Sequence, residues 1–263
     1  MKTCKNCNRQ LIPYKGRCVY CGAEVNDTPE TVETEEIPTP LRYRHDILLR
    51  ENPIRLHGVA DFVFCVDCSR SLMPVLDSIK ESIAVCMEAI ETTCDINWRA
   101  RVMGYRNFDT DKECLLNGNS FVTTVEALKT QLDGMVAKGF AEKEPSSTLD
   151  AIWYATFRSE WRSNCEKFVS VFTNEFTKGL NVKTSYEIIQ ADSDLDVLSQ
   201  ELDVNRIKLL LCGLENHIYD SLRKIPCSDI IQFKNPIDFY CHKKLDFQNI
   251  IYQNIMQWFM IRS

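Results

Sequence analysis

The sequence predicts an α/β fold: a doubly wound, mainly parallel central sheet flanked by helices, with a small separate module at the amino end. Three observations carry this. Short apolar runs, almost free of charge, recur at 62–66, 168–173, 207–212 and 230–233. They alternate with longer stretches whose apolar residues repeat at helical spacing. No series of hairpin turns separates them, so helical crossovers must join successive strands, which makes the strands parallel and buries both sheet faces.

Composition sets the limits. A chain of 263 residues with 44% hydrophobic and 10% aromatic residues suffices for one substantial core plus an appendage. Its net charge of −6 argues against broad attraction to nucleic acid or to an anionic lipid surface. No run approaches transmembrane length, and Met1-Lys2-Thr3-Cys4 opens without a secretory apolar segment. Thirteen cysteines are present, most of them scattered singly through apolar segments, as Cys65, Cys86 and Cys212 are. Such thiols behave as small core residues in a reducing compartment, so the expected location is cytoplasmic, with no membrane contact.

Residues 1–25 hold Cys4-x2-Cys7, a ten-residue spacer, and Cys18-x2-Cys21. Two such knuckles bring four thiolates to the corners of one tetrahedron, the geometry of a structural Zn²⁺ site. A segment this short has almost no core, so its folding energy must come from the metal. Lys2, Lys5, Arg9, Lys15 and Arg17 make this zinc ribbon basic, which permits nucleic-acid contact, but protein docking ranks first. Residues 26–40 contain three prolines and five acids without one base, the composition of an extended, self-repelling linker. Residues 41–57 follow as a lead-in segment whose Ile47, Leu48, Leu49, Ile54 and Leu56 are expected to pack against the main domain, 58–263.

Within that domain Phe62-Val63-Phe64-Cys65-Val66 reads as a strand buried on both faces, and a helix is expected from Ser71 to about Thr93 with Pro74 in its first turn. Ile96–Phe108 reads as a strand, Phe121-Val122-Thr123 as a short strand, and Val125–Met135 as a helix. A loop over 139–147 leads to a helix bearing Leu149, Ile152, Trp153, Ala155 and Phe157, then to the strand Phe168–Thr173. Later come a helix near Leu195–Leu202, the strand Ile207–Cys212, a small helix near Tyr219–Leu222, the strand Ile230–Phe233, and a closing helix from Asp246 to Met260.

Chemistry concentrates where the first strand ends, at Asp67-Cys68-Ser69-Arg70-Ser71. Ligands in open α/β sheets bind at the carboxyl ends of the strands. One carboxylate and two hydroxyls there supply hard oxygen donors suited to Mg²⁺ or Mn²⁺. The competing reading is plain helix capping, for which Asp and Ser are common residues. Cys65 and Cys68 form a C-x-x-C around the loop, but Cys65 belongs to the buried strand, which disfavours redox chemistry. None of His45, His57, His217 or His242 falls in a strand-end loop of this site, so no nucleophile–base pair is evident.

The D-x-S-x-S run after a strand and before a helix resembles the von Willebrand factor A (vWA) family, over roughly residues 58–263. Three further segments carry the resemblance. Gly104-Tyr105-Arg106-Asn107-Phe108 is similar to the G-Y-R-D-F strand end of many bacterial members, with Asn107 in place of Asp. Glu144-Pro145-Ser146-Ser147-Thr148-Leu149-Asp150-Ala151 resembles the loop that supplies a third metal ligand, with Ser146 the best match and Ser147 and Thr148 its competitors. Val171-Phe172-Thr173-Asn174-Glu175 resembles the family's V-x-T-D strand end, with Asn174 in place of Asp. The resemblance implies a metal-ion-dependent adhesion site (MIDAS) formed by Asp67, Ser69, Ser71, Ser146 and Asn174, holding Mg²⁺ or Mn²⁺ weakly because carboxylate charge is missing. Glu175, Glu142, Glu144 and Asp109 lie near enough in sequence to compensate.

It further implies a non-enzymatic assembly module that takes an Asp or Glu from a protein partner, with the zinc ribbon as a second docking element on a tether. Related bacterial vWA proteins act beside AAA-type ATPases, or with kinase and phosphatase partners in stress and defence systems. Two other classes stand behind this one: a nucleic-acid-associated factor of transcription or repair type, and a metal-free vWA scaffold. A hydrolase would require turnover that depends on Asp67.

Overall fold

The computed structural model describes residues 57–108, 120–137, 145–177 and 194–260, together with 13–14 and 17–18. By its internal contacts the chain divides into two units, 1–52 and 53–263. In the first, strands β1 (Pro13–Tyr14) and β2 (Arg17–Cys18) pair antiparallel, with Pro13 opposite Cys18. Cys4, Cys7 and Cys21, the linker 26–40 and the lead-in residues 41–56 lie outside the described residues.

The second unit is built on five parallel strands: β3 (His57–Asp67), β4 (Asp95–Tyr105), β5 (Glu166–Phe172), β6 (Ile207–Leu214) and β7 (Ser228–Phe233), in the spatial order β4-β3-β5-β6-β7. β3 is central to the site because it is flanked on both sides, Asp67 facing Tyr105 in β4 and Val66 facing Phe172 in β5. Successive side chains of a strand alternate between faces. Phe62, Phe64 and Val66 enter one apolar layer with α1 (Leu76–Thr93) and α6 (Lys244–Met260), while Val63 and Cys65 enter the other, with α3 (Thr148–Arg158) and α4 (Asp194–Val204). With helices on both faces, neither parity can be polar, which is why the strand reads as an unbroken apolar run.

The helices follow from spacing. Ile79, Ile83, Met87 and Ile90 of α1 and Phe247, Ile251, Ile255 and Phe259 of α6 recur at intervals of three or four and are buried. Each such side chain contributes about 1.5–3 kcal/mol by leaving water. The remaining helices, α2 (Val125–Asp133) and α5 (His217–Leu222), are each N-capped by a side chain: Thr124 accepts from the Ala127 N–H and Asn216 from the Ile218 N–H.

Two expectations are corrected. The helix after β3 does not run continuously from Ser71. A short 3₁₀ turn at Arg70–Leu72 comes first, and α1 begins at Leu76. An α-helix through this point would need residue 74 to donate to the Arg70 carbonyl, and Pro74 has no N–H; Met73 donates there instead, at 3.2 Å. The expected strand at 121–123 is a single antiparallel bridge, Val122 with Ala100, because Thr124 immediately caps α2. β3 begins at His57, five residues before the apolar run that marked it; the other described elements lie where spacing placed them, within about three residues at each end.

Candidate metal site at the carboxyl ends of β3 and β5

Asp67 ends β3 and is fully buried. Its Oδ1 accepts the Ser69 backbone N–H at 2.9 Å and its Oδ2 accepts the Thr173 hydroxyl at 2.8 Å. Thr173, also fully buried, follows β5, so the two carboxylate oxygens tie together the ends of neighbouring strands. Ser69 and Ser71 follow in the loop with their hydroxyls 2.8 Å apart, and Ser71 Oγ donates to Asn174 Oδ1 at 3.0 Å. Asn174 Nδ2 in turn donates to the Ser71 carbonyl at 2.7 Å. Asp67, Ser69, Ser71 and Asn174 are thus brought together, and apart from the Ser69 backbone N–H and Asn174 Nδ2 the groups they turn to one another are oxygens.

These residues are not spent on capping α1. Its N-cap is Val75, without a side-chain cap bond, and Ser69 at the head of the 3₁₀ turn makes none either. The hydroxyls are therefore free to turn toward each other and toward Asn174.

Electrostatically the site is a buried carboxylate among neutral donors. Burial is the main cause that pushes the Asp67 carboxyl up to about 6, with the Glu175 charge adding to it; the Ser69 and Thr173 hydrogen bonds work in the opposite direction. Among the described residues no Arg or Lys side chain contacts Asp67, and no three His, Cys, Asp or Glu side chains gather into a metal cluster. The donor set suits a hard cation: one carboxylate, two hydroxyls and one carboxamide oxygen.

Ser146 stands one step away. It is buried after a bridge to Thr177, and its hydroxyl pairs with Thr148 Oγ1 at 2.7 Å rather than with the Asp67 cluster. Its two sequence competitors are also engaged. Ser147 Oγ accepts the Phe108 N–H at 3.0 Å, and Thr148 Oγ1 is met by the Tyr105 and Tyr219 hydroxyls at 3.1 and 3.2 Å. Asn107 Nδ2 donates to the Pro145 carbonyl at 3.2 Å, holding the strand-end loop of β4 against the loop before α3.

Sequence reading missed the supports beneath the site. Thr173 stands in the strand-end motif, but sequence assigns it no contact there, and three tyrosines give no signal by spacing. Tyr105 and Tyr219 meet at Thr148, and Tyr240 donates to the Thr173 and Cys212 carbonyls at 3.0 and 2.9 Å, plugging the ends of β5 and β6. All three are fully buried, and burial raises each phenol above its ordinary value. A tyrosine at the end of an otherwise apolar strand, as Tyr105 is, was the available signal, since its hydroxyl needs a partner when buried. Cys65 and Cys68 are buried too; burial pushes the Cys65 thiol up to about 12, which leaves it inert as a nucleophile.

No protein-family model and no curated protein sequence matches the chain. Among solved structures it is similar in fold to proximal thread matrix protein 1 from the mussel byssus, with a TM-score of 0.50 and 12% identity. The likeness covers 74% of this chain and 47% of that one, so this chain spans about half the length of the mussel protein, and what they share is the fold. No helix among the described residues is long and apolar enough to cross a membrane.

Proposed function

We propose that the chain is a non-enzymatic binding module with a vWA-type domain. Asp67, Ser69, Ser71 and Asn174 would hold Mg²⁺ or Mn²⁺ weakly, and a carboxylate from a protein partner would complete the site. One observation supports this above the rest: Asp67 is fully buried at a strand end and, among the described residues, hydrogen-bonds only to neutral donors. A buried carboxylate without a counter-charge is costly, and a cation is the natural remedy. When bound, the ion would supply a Lewis-acidic contact for the incoming carboxylate. Ser146 would contribute by fixing Thr148 and the loop before α3 rather than as a direct ligand. The amino-terminal Cys4, Cys7, Cys18 and Cys21 would hold structural Zn²⁺, a reading supported by the β1–β2 pair that leads into the second knuckle.

Partners consistent with this reading are an AAA-type ATPase or a kinase–phosphatase pair of a bacterial stress or defence system, in the cytoplasm; nucleic acid ranks second. The test is calorimetric titration of Mg²⁺ and Mn²⁺ into the wild type and Asp67→Ala, followed by partner capture with Mg²⁺ or with chelator. Divalent binding at up to millimolar ion that is lost in Asp67→Ala, with capture lost in parallel, supports the reading. Capture indifferent to both chelator and substitution sinks it.

A second reading has its own support. Asn174 and Ser71 close on each other through two hydrogen bonds, 3.0 and 2.7 Å, that need no ion. A metal-free scaffold using the same surface would show partner capture unchanged in chelator.

A further inference from the structure

At the opposite end of the sheet a cavity of about 580 Å³ runs across the amino ends of β3, β5 and β6 and under the end of α6. The eleven residues of β3 separate it from Asp67 by roughly 30 Å at the rise of an extended strand. Its size falls within the range of about 300–1,000 Å³ typical of small-molecule sites. The lining is of two kinds. Half-buried Trp258 of α6 gives an aromatic face, with Lys208 Nζ 5.3 Å from its ring centroid, while the buried Phe259 ring packs so closely on Gly58 that a methyl group there would meet it at 3.2 Å. Lys167 and Arg206 give two cations.

The charges in the cavity do not balance. Glu166 is bonded to Lys208, and His57 Nδ1 lies 2.8 Å from Asp95 Oδ2, so those partners satisfy each other. Among the described residues Lys167 Nζ reaches only the Asn205 carbonyl, at 3.4 Å, and Arg206 meets no carboxylate. Arg206 is also held with φ at 53°, a left-handed conformation that non-glycine residues seldom adopt. The chain as a whole is acidic, with a net charge of −6, so an uncompensated positive pair in this cavity is not a consequence of composition.

We propose that this cavity binds a small anion of the nucleotide class, its planar base against Trp258 and its phosphate between Lys167 and Arg206. A bare phosphate would leave the aromatic wall wet, and a purely apolar ligand would desolvate the two cations without pairing them. A nucleoside monophosphate satisfies both parts. Stacking on tryptophan and charge-assisted hydrogen bonds to phosphate are the two interactions the wall and the cations can give. The proposal is independent of the ion site at the other end of the sheet.

The test uses the full chain. The four ribonucleoside monophosphates, adenosine, and inorganic phosphate are titrated while tryptophan fluorescence and calorimetric heat are read. At least one monophosphate should bind with a sub-millimolar Kd, with adenosine and phosphate each at least tenfold weaker. Arg206→Asn, which keeps a residue tolerant of positive φ, and Lys167→Gln should each weaken binding by about tenfold. Trp258→Ala should do the same by removing the stack. The melting profile of each variant confirms that it is folded, and Arg206, being exposed at a helix end, is the variant least able to disturb the core. If no monophosphate binds below several millimolar, or if binding persists unchanged in Arg206→Asn and Trp258→Ala, the proposal is overturned.

Discussion

Replacing Asp67 by Asn should make the metal-free protein more stable, and the gain should depend on pH in a defined direction. In the unfolded chain the carboxyl titrates at its ordinary value of 3.8, and in the folded protein burial, above all, pushes it up to about 6. Between these values the folded protein holds a proton that the unfolded chain has released. Stability from this group is therefore complete below about pH 4, falls as the pH rises to about 6, and stays lost above it. A rise from 3.8 to about 6, at about 1.36 kcal/mol for each step of one in pKa, amounts to about 3 kcal/mol. In Asp67→Asn the side chain is neutral throughout. Its Oδ1 is placed to accept from the Ser69 N–H and its Nδ2 to donate to the Thr173 hydroxyl, so the variant keeps the geometry and loses the slope.

The assay is urea unfolding of both proteins in chelator at several values from pH 4 to pH 8. Taking the difference between them cancels every other titrating group, including Asp61, whose carboxyl is held low in both. The two should be nearly equal at pH 4, and Asp67→Asn should be ahead by up to about 3 kcal/mol at pH 8, equivalent to roughly 6–12 °C in Tm for a domain of this size. A flat difference across the range, or a variant that is the weaker protein at pH 8, would refute the claim that Asp67 is buried without charge compensation.

Asn174→Asp should destabilise the protein in chelator by about 1–3 kcal/mol, because it removes the donor to the Ser71 carbonyl and sets a carboxylate against it. Added Mg²⁺ should reverse the loss and bind more tightly than to wild type; a variant as stable as wild type in chelator would contradict this. Gly213→Ala should cost about 1–3 kcal/mol, since the new methyl would lie 2.9 Å from the buried Tyr219 ring and 3.1 Å from Thr173 Cγ2. Urea unfolding measures it, and a neutral result would mean that the packing under the site yields easily. Purified protein should carry one zinc per chain by elemental analysis; absence of zinc, with Cys4, Cys7, Cys18 and Cys21 freely titratable, would remove the ribbon.

What the sequence made legible follows from which interactions are local. The core strands announced themselves because sheet faces covered on both sides tolerate no polar parity, as in Phe62–Val66. The loop Asp67–Ser71 was legible because strand, oxygen donors and helix occur in one short stretch. The start of α1 was misplaced because Leu72 and Val75 fit helical spacing and mask the 3₁₀ turn that Pro74 enforces. The floor of the site was not legible: Tyr105 and Tyr219 lie 43 and 71 residues from Thr148 and meet it only because the β4–β5 and β6–β7 crossovers both pass the carboxyl end of the sheet. The separation of Ser146 from the Asp67 cluster is of the same kind, since counting back from Ala151 fixes a place in the chain but not the direction of a hydroxyl.

Two aspartates on one strand provide an internal comparison. Asp61 and Asp67 are both fully buried side chains of β3, six positions apart and therefore of the same parity. Burial raises the pKa of both, yet the outcome is opposite. Around Asp61, Arg99 donates from Nε and Nη2 at 2.9 Å each, and Arg162 donates from its backbone N–H and Nε at 2.8 and 2.7 Å; together they outweigh burial and hold the carboxyl below its ordinary value. Around Asp67 the donors are neutral, burial wins, and the carboxyl is pushed up. The first arrangement locks the segment before β5 onto the sheet and is complete. The second leaves half an ion pair in the interior, at a strand end opening onto exposed Ser71. Among the described residues two arginines serve one buried carboxylate and none serves the other, and a cation from outside the chain, as proposed above, would supply at Asp67 what Arg99 and Arg162 supply at Asp61.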